Sequence, residues 1–208
     1  MKTIADAKDV AQKTDLRQAP SPKNLPVQLH VIHDLGGGSA TWLRDYCLTD
    51  NSRTNLVLKS FTQNNAMGCG FALYANVLDE VPLRMWHFST QIQATVTTHP
   101  EYSRALNEVI EQYRVDALLV SSVIGHSLDV LNTNLPTAVV NHDYFPYCPA
   151  INIHFGDVCK QCDGNRIERC YRDNPKFNPF ITFLPHERVD VREEFIRLIV
   201  RPNPGDNH

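Results

Sequence analysis

Two short stretches combine residue types that could do chemistry. Three glycines, Gly36–Gly38, and then Ser39 follow an apolar run, and backbone N–H groups at a helix N-terminus bind anions. His142 and Asp143 follow a later apolar run, where such a pair could exchange protons or bind a hydroxyl. We predict catalytic roles for His142 and Asp143, and donor-phosphate or acceptor binding by the glycines, Ser39 and His126. The competing interpretations are a tight turn without ligand and a structural His–Asp pair.

The glycine turn departs from the two best-known phosphate-binding motifs. Gly36 and Gly38 fit the start of a dinucleotide fingerprint, but Thr41 occupies its third position. The expected acid about 20 positions later is missing, because no Asp or Glu lies between Asp50 and Asp79. A P-loop would need Gly-Lys-Ser/Thr, which does not follow. The remaining candidate ligands of the glycine turn are the diphosphate of a sugar nucleotide and an acceptor. A nicotinamide-binding oxidoreductase domain is a weaker alternative.

Four of the six cysteines fall within a short segment and could bind a metal ion. Their spacing is C-x10-C-x2-C-x7-C, over Cys148, Cys159, Cys162 and Cys170. The central C-x2-C pair is typical of half a thiolate zinc site, and four thiolates would complete a closed tetrahedron. We therefore predict a structural zinc that fastens an irregular loop. Disulfides and reduced thiols remain open alternatives, and a metal-stapled, non-catalytic binding module is a second function hypothesis.

Apolar patterning predicts the elements that position these residues. The clearest strands are "VQLHVIH", "TNLVLKSF", "DALLVSS" and "PTAVVNH", with further β structure between residues 70 and 97. Helices are predicted over "SATWLRDYCL" with Ser39 as its cap, over "EYSRALNEVIEQYRV" and "VDVREEFIRLIV", and from "IGHSLDVL" onward. Alternating strands and helices predict an α/β fold, a Rossmann-like parallel sheet with helices on both faces. The carboxyl ends of its strands would bring the glycine turn near His142.

Composition and charge limit the classes of function. Hydrophobic residues make up 42% and charged residues 21% of the 208 residues, as in ordinary globular domains. The formal net charge of −3 gives no reason to expect nucleic-acid binding. The charged N-terminus lacks the apolar core of a secretory signal, which favours the cytoplasm. We predict a flexible arm over 1–26, one domain over 27–200 with a long Cys-containing loop over 143–185, and a tail over 201–208.

Three stretches together resemble one protein family. They are "HVIHDLGGGSATWLRDY", "YRVDALLVSSVIGHSLDVL" and "LPTAVVNHDYFPYCPAINIHF", followed by the cysteines. In order and spacing, above all in "HDYFPYCPAIN", they resemble family 4 (group 1) glycosyltransferases of the GT-B fold. The likeness is greatest to bacterial members that build surface polysaccharides. It runs from about Val27 to Val200.

The resemblance implies one half of a two-domain, retaining glycosyltransferase that uses a nucleotide sugar. In such enzymes the N-terminal domain binds a glycan or lipid-linked acceptor. Its glycine loop, here Gly36–Gly38, lines the donor diphosphate, and the histidine matched by His142 lies near the reacting sugar. A C-terminal domain holds most of the donor, and we expect this chain to lack it and to be inactive alone. No metal is expected for the chemistry. The resemblance implies a protein of the cytoplasm or of the inner membrane face, peripherally associated.

Overall fold

The computed structural model describes residues 25–63, 66–145, 147–148, 163–173 and 185–200. The predicted tail and most of the predicted arm lie outside these residues, as does much of the Cys-containing loop. In chain order the elements are β1 (Val27–His33), α1 (Gly38–Thr49), β2 (Thr54–Gln63), β3 (Ala66–Tyr74), β4 (Arg84–His87), β5 (Thr95–Val96), α2 (Pro100–Tyr113), β6 (Val115–Val120), β7 (His126–Ser127), a 3-10 turn (Leu128–Leu131), β8 (Thr137–Val139), α3 (Gly164–Asp173) and α4 (Pro185–Ile199).

The main sheet has six strands in the order β4-β3-β2-β1-β6-β8. The four strands β2, β1, β6 and β8 are parallel, which confirms the α/β prediction. β3 and β4 are antiparallel, so the sheet is mixed rather than wholly parallel. The connection from β2 to β3 spans only residues 64 and 65, too short for the crossover that a parallel neighbour requires. β5 and β7 form a separate two-stranded parallel sheet.

Helices cover both faces of the sheet, as predicted. Successive side chains of β1 point to opposite faces. Leu29 and Val31 belong to the large core that α2 and α4 also enter, whereas Ile32 packs with Leu43 of α1. Because both faces of β1 are covered, even its polar residues Gln28 and His30 are buried.

The helices also depart from the sequence prediction in places. α2 matches its prediction and begins at Pro100. α4 begins at Pro185, before the predicted segment, and its expected stripe is confirmed by buried Val191, Phe195 and Leu198. The helix predicted from "IGHSLDVL" is wrong, because β7 and the short 3-10 turn occupy this segment. No helix in the described ranges is long and apolar enough to cross a membrane.

Gly68 in β3 permits a close approach of the backbone at Ile92. Its φ is +68°, and a Cβ at this position would lie 1.8 Å from the carbonyl oxygen of Ile92. The Ile92 N–H donates to the Gly68 carbonyl at 3.0 Å, so the two segments are held together at this point. Any larger residue would have to push Ile92 away.

We predict that Gly68→Ala lowers the free energy of unfolding by about 3 kcal/mol or more, through steric overlap and an unfavourable φ. Gly38→Ala is the matched control, because a Cβ there meets nothing within 4 Å and φ lies outside the left-handed region. The control should change stability by less than about 1 kcal/mol. Chemical denaturation of both variants tests this, and equal stability would refute the packing argument.

Candidate functional site

The strand order places the candidate site at the carboxyl edge of the sheet. β2 lies on one side of β1 and β6 on the other, so the order of connection reverses at β1. In open α/β sheets, ligands bind at such a switch point, beyond the carboxyl ends of the strands. His33 ends β1, Ser121 follows β6, and His142 lies three residues beyond β8. The expected meeting of the first and last of these strand ends is therefore present.

The glycine turn opens α1 in a way that the sequence did not predict. Gly36 and Gly37 have φ of 73° and 85°, and α1 begins at Gly38 with Gly37 as its N-cap. The prediction that Ser39 caps the helix is wrong, because Ser39 is buried within the first turn. The left-handed glycines let the chain enter the helix earlier. A Cβ on any of the three glycines would meet nothing within 4 Å, so the backbone borders open space.

A cleft of about 350 Å³ lies beside this turn. Its wall combines Gly36 and Gly37 with the first turns of α1, the end of β1 and Lys59 from the middle of β2. Its charged groups belong to Asp34, Arg44 and Lys59. The cleft is large enough for a small polar ligand at the position where the sequence predicted phosphate binding.

His142 lies on the other side of the N-terminal part of α1. Its ring packs edge-on against Trp42, with 5.0 Å between ring centroids. Nε2 of His142 and Oγ of Ser121 are both buried without a hydrogen-bond partner. Both residues line a small cavity of about 10 Å³, close to the volume that one water molecule requires. Trp42 thus connects the glycine-started helix directly to His142.

Asp143 follows His142 and fixes the conformation of the chain after β8. Its Oδ1 accepts a hydrogen bond from the Phe145 N–H at 2.9 Å, which shapes the chain after β8. Asp143 is exposed, and its charge acts on nearby His33. This bond favours the competing interpretation of a loop-fixing residue, and the other carboxylate oxygen takes no part in it.

His33 belongs to the site although its chemistry was not singled out from the sequence. The Leu35 N–H donates to Nδ1 at 3.1 Å, so the proton of the neutral ring is on Nε2. Burial lowers the pKa of His33, while Asp143 opposes this effect. A signal was available, since His33 directly precedes the glycine turn. Ser121, Trp42 and Lys59 gave no such signal, because only the folded chain brings them here.

His126 is built into the core instead of facing a ligand. It is completely buried, and its Nε2–H donates to the Ile32 carbonyl at 3.0 Å. The Tyr102 hydroxyl donates to Nδ1 at the same distance. Burial lowers the pKa of His126 to about 4. Both ring nitrogens are occupied, which is at odds with the predicted role in phosphate or acceptor binding.

The cysteine prediction falls largely outside the described residues. Cys159 and Cys162 lie outside them, whereas Cys148 and Cys170 are both partly buried. Within the described ranges, no group of three or more His, Cys, Asp or Glu side chains could hold a metal ion. Structural zinc therefore stays a prediction. Cys47 packs beside the core cluster of Ile32 and Leu43, as expected of a small apolar residue.

Comparison with known proteins adds no relative to this picture. No family model, curated protein or solved structure matches the chain. The α/β fold thus rests on the structure itself, and the glycosyltransferase resemblance stays a prediction.

We predict that protein purified without chelators carries about one equivalent of zinc, held by the four cysteine thiolates. Cys159→Ser should remove most of it, whereas Cys47→Ser should not, because Cys47 packs against the core near α1. Elemental analysis and thiol titration measure both quantities. A content below about a tenth of an equivalent, with all four thiols reactive, would contradict the zinc site.

His126 should make stability depend on pH. The unfolded histidine takes up a proton near its ordinary pKa of 6.5, but the folded one only near 4. The unfolded state therefore binds more protons as pH falls, and stability present above pH 6.5 is progressively lost. We expect a loss of about 2 kcal/mol between pH 7 and pH 4.5 from this residue. Denaturant unfolding across this range measures it.

The matched variants separate His126 from the other histidines. His126→Gln should flatten the pH dependence, although it is less stable at pH 7, while His87→Gln on exposed β4 should keep the full slope. Some slope remains in both variants, because burial also lowers the pKa of His30 and His33. An unchanged slope in His126→Gln would exclude the explanation.

Proposed function

We propose that this chain is the N-terminal, acceptor-side half of a retaining glycosyltransferase that uses a nucleotide sugar, in the synthesis of bacterial surface polysaccharide. The observation that carries the proposal is the contact between Trp42 and His142. It joins the helix that starts at the glycine turn to the histidine beyond β8. The two features on which the resemblance depends are distant in sequence and adjacent in the fold.

The chemistry of sugar transfer suits this edge of the sheet. A departing nucleoside diphosphate gains negative charge, and backbone N–H groups at a helix N-terminus stabilise such charge. The unobstructed glycine turn offers these groups at the start of α1. An enzyme that stabilises this charge needs hydrogen-bond donors that are oriented before the reaction. The glycine turn can supply them because it follows β1, which is held between parallel β2 and β6.

His142 is assigned to a hydrogen bond with a sugar hydroxyl or a phosphate oxygen. Its Nε2 is enclosed beside Ser121, so Nδ1 is the nitrogen that we assign to the ligand. Packing against Trp42 restricts the ring, which lowers the entropy lost when the hydrogen bond forms. Asp143 follows His142 in the chain, and its negative charge acts on His33.

The competing functions are less well supported. A non-catalytic module stapled by metal has no need of a cleft at the glycine turn, yet one of about 350 Å³ lies there. A nicotinamide oxidoreductase would place an acidic residue near the end of β2 to bind ribose, whereas no Asp or Glu lies between Asp50 and Asp79 and β2 contributes Lys59 to the cleft. Calorimetry with NAD and NADP tests this alternative, and tight binding of either would favour it.

Joined to a donor-binding domain, this chain should transfer sugar from, or hydrolyse, a nucleotide sugar. His142→Ala should lower kcat by at least about tenfold through loss of an oriented hydrogen-bond partner. His87→Ala on exposed β4 is the control and should keep full activity. Release of nucleoside diphosphate, followed with a panel of nucleotide sugars, is the measurement. Wild-type activity in His142→Ala would overturn the assignment.

A further inference from the structure

The cleft beside the glycine turn is chemically distinct from the cavity of His142. It opens on the β2 side of α1, whereas His142 lies toward β8. Its wall contains one partly buried lysine, one arginine, one aspartate and the ring of His33. None of these four groups was assigned a role from the sequence.

Lys59 is the group whose environment is least complete. Its ammonium lies 4.6 Å from the centre of the Tyr74 ring. Within the described residues it forms neither an ion pair nor a hydrogen bond. The side chain is partly buried against the cleft wall, so its positive charge is directed into the cleft with little competition from other charged groups. The face of Tyr74 compensates in part, and an anion in the cleft would complete the environment.

His33 offers a second donor to the same space. It is only 8% exposed, and it lines the cleft. Its Nδ1 is occupied by the Leu35 N–H, and Nε2–H donates to no described residue. Because burial lowers its pKa, the ring stays neutral near pH 7 and acts as a fixed donor rather than a variable charge.

Arg44 and Asp34 define what the ligand must carry besides an anion. The Arg44 guanidinium is half-exposed and already bonds to Asp45 at 3.2 Å, so it attracts an anion less than Lys59 does. Asp34 is exposed in the same cleft, and its charge adds to the effect of burial, which raises the pKa of Tyr74. Repulsion by Asp34 weakens the binding of a bare anion to Lys59 without abolishing it. A ligand with hydroxyls next to its phosphate would instead donate to this carboxylate.

We infer that this cleft binds the phosphate or diphosphate group of a sugar phosphate. Lys59 and Nε2–H of His33 hold the phosphate, and Asp34 accepts from a neighbouring hydroxyl. The inference rests on the proposed function only in expecting a sugar-phosphate substrate. That group could belong either to the nucleotide sugar or to a phosphorylated acceptor.

The first experiment measures pyrophosphate binding to the 208-residue chain by calorimetry. Lys59→Met should weaken binding by about tenfold, because a charge-assisted hydrogen bond is lost. Lys59→Arg should restore most of it. Arg104→Met removes an equal charge from exposed α2 on the opposite face of the sheet and should change affinity less than twofold. Unfolding midpoints verify that each variant is folded.

The second experiment uses Asp34→Asn, for which the inference predicts opposite effects on two ligands. Pyrophosphate has no hydroxyl and should bind about threefold more tightly once the repelling charge is gone. Glucose 1-phosphate should bind less tightly than to the wild type, because the strongest acceptor for its hydroxyl is lost. A change in the same direction for both ligands would overturn the role of Asp34.

Two further arms identify the source of the phosphate. If it belongs to the donor, Lys59→Met weakens UDP-glucose as much as glucose 1-phosphate. If it belongs to an acceptor, Lys59→Met weakens glucose 1-phosphate alone. Failure of wild-type protein to bind pyrophosphate, or equal binding by Lys59→Met and Arg104→Met, would overturn the site. These outcomes are independent of whether His142→Ala reduces sugar transfer.

Discussion

The double burial of β1 is the constraint on which the rest of the structure depends. β1 is hydrogen-bonded to parallel β2 and β6, and helices cover both of its faces. Because β1 is enclosed on all sides, only the residues at its two ends can reach solvent or a ligand. At its carboxyl end the chain must turn at once to reach α1, and Gly36 and Gly37 adopt the left-handed conformations that permit this. Open backbone at the switch point follows from the burial of the strand before it.

His126 stabilises the carboxyl end of β1 from within the core. By bonding to the Ile32 carbonyl and the Tyr102 hydroxyl, it ties the segment after β6 to β1 and α2. An unpaired polar group in such a position would cost much more than the net value of each hydrogen bond. The ring of His126 can be completely buried because it is neutral and both of its nitrogens are hydrogen-bonded. His126 thus holds in place the segment that begins at Ser121 beside the cavity of His142, and neither of its nitrogens is left for a ligand.

The start of α1 separates two chemically different regions. On one side, Lys59, His33 and the glycine backbone supply donors in an open cleft. On the other, Trp42 packs edge-on against His142, whose buried Nε2 lies beside a small cavity that Ser121 also lines. A transferase for sugars must bind charged and neutral polar groups next to each other. An edge with both kinds of environment, divided by one helix, meets this requirement.

Local patterns in the sequence determined much of the framework. The bounds of β1, the existence of α1, α2, β2 and β6, and the buried stripe of α4 all follow from periodicity and from the glycines that interrupt it. The same reasoning anticipated that the glycine turn and His142 would lie at one edge. It failed for Ser39, because residue type suggests a cap but φ at Gly37 decides where the helix starts. It did not predict that β3 begins at Ala66 and pairs antiparallel with β2, because the direction of pairing depends on the length of the connection.

Tertiary structure alone decided the partners of each polar side chain. His126 and His142 both follow apolar strands of the sheet, β6 and β8, and nothing in their local sequence separates them. Packing assigns one to the core with both nitrogens bonded and the other to a site where Nε2 lacks a partner. Lys59 likewise reads as an ordinary strand residue until Tyr74 and the glycine turn are brought beside it. Residue types and spacing act locally, whereas burial and hydrogen-bond partners come from residues far apart in the chain.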